Sequence, residues 1–114
     1  MDSEMNIKHK ELAEGRWAQM SFCEQMANVG SEVSRALNWK KKGKDSLSKE
    51  AVNRALELLD FTIALIKEYP RLKELFRTRE ALVDFFYGAN EFLSSEILWR
   101  KHFDCFNYAA RKNC

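Results

Sequence analysis

One proline and four glycines in 114 residues leave little of the turn punctuation that sandwiches and barrels need. Val, Ile and Thr are also scarce, so strands have few of the residues that suit them. More than half of the chain is Ala, Leu, Glu, Lys, Arg, Met or Gln. Strong helix formers with so few breakers exclude all-β and βαβ folds. The longest nearly apolar run, Phe61 to Ile66, is far too short to span a bilayer, and no membrane association is expected. The opening stretch MDSEMNIKHKELAEG has no apolar segment of the secretory kind. Cys23, Cys105 and Cys114 contain no C-x-x-C pair, and His9 and His102 show no ligand spacing with them. No metal, cofactor or disulfide is therefore expected, and a cytoplasmic location is. Walker, G-x-S-x-G, H-E-x-x-H and glycine-rich dinucleotide motifs are missing as well. The sequence carries no catalytic signature.

What it does carry is helical periodicity. Residues 1–10 read as a frayed N-terminal segment and 11–114 as a single domain. A first helix is predicted from about Glu11 to Lys42, with Phe22, Met26, Val29, Val33, Ala36 and Leu37 forming its apolar stripe. Beside it runs a row of small residues, Cys23, Ala27, Gly30 and Ser34, which would let another helix approach closely. A second helix is predicted to start at Ser48, with Leu47 and Val52 as a hydrophobic staple, and Pro70 stops it. Its segment ALELLDFTIALI is apolar on nearly every face, so it should be surrounded. Pro70 opens a third helix to about Tyr87, with Leu72, Leu75, Phe76, Arg79, Leu82, Val83 and Phe86 inward. After a loop at 88–95, a fourth helix runs to about Arg111 and points Leu98, His102, Cys105, Phe106 and Ala109 inward. Short connections between four helices predict an all-α fold, an antiparallel up-and-down four-helix bundle.

Four features stand out against that pattern. Arg79 falls near the centre of an apolar arc, where a guanidinium needs a carboxylate such as Glu32, Asp60 or Asp84. His102 falls on the apolar side of its helix, where a neutral, hydrogen-bonded imidazole is the ordinary outcome. Together they are weak catalytic candidates, since an inward Arg and His would suit ribonuclease chemistry. Arg35 to Lys44 holds five basic residues and no acidic one in a chain of net charge +2. Trp39, Lys40, Lys41, Lys42 and Lys44 are accordingly candidates for gripping phosphate and stacking a base of RNA or DNA. Finally, Trp17 and Trp39 project from the polar side of the first helix and are interface candidates.

The stretch GRWAQMSFCEQMANVGSEVSRALNWKKKG (15–43), then RALELLD (54–60), RLKEL (71–75), DFFYGANEF (84–92) and FNYAAR (106–111), resembles a family of short, uncharacterised all-helical prokaryotic proteins. A looser resemblance is to the accessory proteins of diversity-generating retroelements, small four-helix bundles that oligomerise and bind a reverse transcriptase and nucleic acid. Both imply a helical bundle, and the second implies an adaptor role. The HEPN ribonucleases, also helical bundles, place an Arg and, several residues on, a His on one helix. Here Arg100 and His102 are only two apart and lie on different faces.

The expected function is a non-enzymatic interaction or adaptor protein. It is expected to be a homo-oligomer, with a protein partner and RNA or DNA as further candidate partners. The alternative is a small HEPN-like ribonuclease using Arg79 and His102.

Overall fold

The structure, a computed structural model, describes residues 15–112. The segment 1–10 read above as frayed lies outside the described residues. Regular structure among the described residues is entirely helical. A short helical stretch, α1, covers 15–19. It is followed by α2 (Phe22–Lys41), α3 (Asp45–Leu65), α4 (Tyr69–Tyr87) and α5 (Glu96–Arg111). Among the described residues, no helix is long and apolar enough to cross a membrane.

The predicted first helix is broken at Met20–Ser21. Ser21 is an N-cap: its hydroxyl accepts from the Glu24 amide, and the Glu24 carboxylate accepts from the Ser21 amide. That reciprocal capping box satisfies amide donors that a helix start otherwise leaves bare. The break lets α1 fold back. Trp17 is buried, and its indole N–H donates to the Thr62 hydroxyl at 2.8 Å. The buried Gln25 amide donates to the carbonyls of Trp17 and Met20 and closes the bend. Trp17 is therefore a core residue and not the exposed interface residue its place on a continuous helix implied.

The α2 stripe packs as its spacing predicts, with Met26, Val29, Val33, Ala36 and Leu37 buried and Phe22 partly so. Against it stand Ala51, Val52, Ala55, Leu56 and Leu59 of α3. Helix α3 begins three residues earlier than expected, and Ser48 lies inside it, donating its hydroxyl to the Ala36 carbonyl at 2.8 Å. That bond removes the cost of burying a hydroxyl at the α2–α3 contact.

Helix α5 is rotated from the expected phase. Trp99 and Phe103 are buried, whereas Leu98, His102 and Cys105 are exposed. Two apolar lines compete on this helix, and the one through Trp99, Phe103 and Phe106 removes more aromatic surface from water. It also fits the small-residue row of α2. A Cβ on Gly30 would sit 2.7 Å from the Cβ of Phe103, so α5 lies directly on that glycine. Phe22 and Phe106 meet edge to face beside it at 5.8 Å. Arg100 completes the seat. Its guanidinium donates to Ser34 and Asn38 of α2 and to Glu96 of its own helix, each at 2.9 Å.

Helix α2 is thus the shared support: α3 and α5 both pack on it, and α4 packs on α3. Cys23, buried on α2, is disulfide-bonded, which corrects the expectation of none. Cys105 is a free, exposed thiol.

Candidate interaction surface

The loop that joins α4 to α5 is tied at both ends. Asp84, in the last turn of α4, accepts from the amides of Glu91 and Phe92 at 2.9 and 3.0 Å. Asn90 takes a left-handed backbone (φ 56°), which asparagine tolerates. Its side-chain carbonyl accepts from the Ser94 amide, and its NH₂ donates to the Ser94 carbonyl. Ser95 then caps α5 by accepting from the Leu98 amide. These bonds fix an apolar display. Phe92, Leu93, Ile97 and Leu98 are 60%, 80%, 68% and 56% exposed. Leu93 also has φ 56°, a conformation that costs a leucine about 1–2 kcal/mol, and it is held there by its own amide's bond to the Asn90 carbonyl and by the Asn90–Ser94 bonds on either side of it. Four large apolar side chains exposed within one short stretch of chain are unlike the singly scattered apolar residues of an ordinary surface.

Beside the cluster, α4 and α5 make little contact with each other. They meet where Phe85 contacts Trp99, ring centres 6.5 Å apart. Away from that point they leave a groove. One depression of about 440 Å³ is lined by Arg77, Thr78, Ala81, Phe92, Trp99 and His102. The next, about 350 Å³, lies against Phe22, Met26, Arg71, Leu75, His102 and Phe106, with Glu74 and Thr78 also in its wall. Trp99 buries its indole N–H with no partner among the described residues.

The structure does not bring Arg79 and His102 into one cleft. Arg79 faces α3, where its guanidinium donates to both carboxylate oxygens of Asp60, at 2.7 and 3.1 Å. The pair raises the Arg79 pKa through those hydrogen bonds. It lies at the edge of the apolar arc, with the two side chains 36% and 49% exposed, and not at its centre. His102 lines the groove on the other side of α4. It is exposed as a residue, and its ring packs edge to face with Trp99, Phe103 and Phe106. Burial against them lowers its pKa below the usual 6.5, and the Glu74 charge opposes this in part.

The basic helix end is largely engaged within the molecule. Lys41 pairs with Glu96 at 3.5 Å. Lys40 lies over the Phe85 ring and Lys42 over the half-buried Trp39, each 5.5 Å from the ring centre. Lys44 is the exposed N-cap residue of α3. Glu96 is held below the usual carboxylate range by the hydrogen bond from Arg100, helped by Lys41.

Sequence reasoning passed over the loop cluster. The signal was present in FLSSEIL, where Phe92 and Leu93 fall in the predicted loop and Ile97 and Leu98 fall at the start of the predicted fourth helix. Among the described residues, no three His, Cys, Asp or Glu side chains gather as a metal site would require. Compared with protein-family models, curated proteins and solved structures, the chain matches none.

Proposed function

We propose that this chain is a non-enzymatic interaction module that self-associates through Phe92, Leu93, Ile97 and Leu98. The observation that carries the reading is Leu93, a leucine in a left-handed conformation with its side chain in water. The loop's own bonds hold that conformation and so keep the leucine side chain in water, where a partner would cover it. The hydrogen bonds of Asp84 and Asn90 support the same reading, because they hold the loop ready. The helix order, with short connections and with α3 and α5 on α2, supports an up-and-down four-helix bundle open at its α4–α5 corner. Kinship with short helical prokaryotic proteins and an accessory role toward nucleic acid belong to the same proposal.

The discriminating variant is Leu93→Asn. Asparagine tolerates the left-handed backbone, so the monomer should hold or gain stability while self-association is lost. Light scattering coupled to size exclusion, with thermal melts on the same samples, reads both quantities. A wild type that stays monomeric at high concentration overturns the proposal, as does an oligomer unaffected by the substitution.

A further inference from the structure

The groove between α4 and α5 is built from three helices, and its inner depression is mainly apolar, with Arg71 and Glu74 of α4 as the charged groups in its wall. Phe22 and Met26 come from α2, Leu75 from α4 and Phe106 from α5. Arg71 lies over the Phe22 ring, 4.3 Å from its centre, and makes no ion pair among the described residues. Its planar guanidinium is therefore positioned by packing while its fork of donors stays available. At about 350 Å³ the depression is in the range of small-ligand sites, and it adjoins the second depression, where Arg77 also lacks an ion pair among the described residues.

We propose that this depression binds a free amphiphile with a single carboxylate head and an apolar tail, the head on Arg71 and the tail against Phe22, Met26, Leu75 and Phe106. The charge of the wall selects the head. Arg71 offers a bidentate match to a carboxylate. Glu74, one turn further along α4 in the same wall, opposes additional negative charge, so a dianionic phosphate is disfavoured relative to a carboxylate. His102 supplies no second cation near neutral pH. The inner depression shares no residue with the cluster at Phe92, Leu93, Ile97 and Leu98, but Phe92 lines the adjoining depression, so the test is run with and without self-association.

The test is calorimetric titration of the full chain with decanoate below its micellar concentration, with 1-decanol as the uncharged control. Wild type should bind decanoate saturably at one site and decanol more weakly. Arg71→Gln should weaken decanoate about tenfold, leave decanol unchanged, and be partly rescued by Arg71→Lys. Glu74→Gln should do the opposite, tightening decanoate several-fold without changing decanol. Partial unfolding would expose apolar surface and raise affinity for decanol as well, so a gain confined to decanoate reads the charge alone, and this arm stands even if Arg71 variants fold poorly. Repeating the titration in the Leu93→Asn variant separates failure of the site from occlusion by a second copy. Absence of saturable binding in both backgrounds overturns the proposal, as does equal affinity for decanol or indifference to both charge changes.

Discussion

The Cβ that Gly30 lacks would fall 2.7 Å from the Cβ of Phe103 and 2.9 Å from its Cγ. These are the root atoms of the side chain, so no rotamer change relieves the clash, and α5 must move off α2. Gly30→Ala gains about 1 kcal/mol of helix propensity but sets against it an overpacking cost of about 1–3 kcal/mol. Net destabilisation is expected, with loss of the Arg100 contacts to Ser34 and Asn38. Urea unfolding checks it; an alanine variant as stable as wild type, or more so, would show that α5 does not rest there.

Trp17 and Thr62 should behave as a coupled pair. Trp17→Phe leaves the buried Thr62 hydroxyl without its donor, and Thr62→Val leaves the indole N–H without its acceptor. Each single change is expected to cost about 1–3 kcal/mol, and the double variant less than their sum. Additive losses would mean that the 2.8 Å bond does not form in solution.

The Arg79–Asp60 pair should contribute little despite its bidentate geometry. Both side chains reach solvent, and exposed pairs are worth about 0–1 kcal/mol. Arg79→Leu is therefore expected to lower stability by less than about 1 kcal/mol, against about 3–5 kcal/mol for stranding the partner of a buried pair. A loss in the larger range, measured by denaturant unfolding, would show that Asp60 is shielded from water.

His102 gives stability a pH dependence of known sign. Its folded pKa lies below 6.5, so near and below that value the unfolded chain binds more protons than the native one. The His102 contribution is complete above pH 6.5 and is lost as pH falls through the folded pKa. Nuclear magnetic resonance titration of the imidazole should return a value under 6.5, and Glu74→Gln should lower it further. A value above 6.5 would mean that the Glu74 charge outweighs burial.

Much of the fold was legible because its signals are local and redundant. The α2 stripe recurs at helical spacing over four turns, and Gly30 stands in a row of small residues that only a close helix explains. The errors arose where two local readings competed. Ser21 and Glu24 spell a capping box, but the apolar period continues through them, so the bend that buries Trp17 was hidden. On α5 the lines through Leu98 and Trp99 are both apolar, and only the shape of the α2 row decides between them. Arg79 was placed too deep because helical phase gives direction and not depth. The exposed loop cluster was missed for a related reason: periodicity describes helices, and Phe92 and Leu93 lie outside one.

Helix α4 has its main support on one side only, from α3, while its Pro70 end flanks the open groove and its other end is tied to α3 by the Tyr87 hydroxyl, which donates to Asn53, and to its own loop through Asp84. An element held in this way is released before the rest of the molecule, in a sub-global opening that leaves α2, α3 and α5 assembled. Its amides should consequently exchange with deuterium faster toward Pro70 than toward Asp84. Such an opening would widen the groove, so whatever occupies the groove would act as a brake on that exchange.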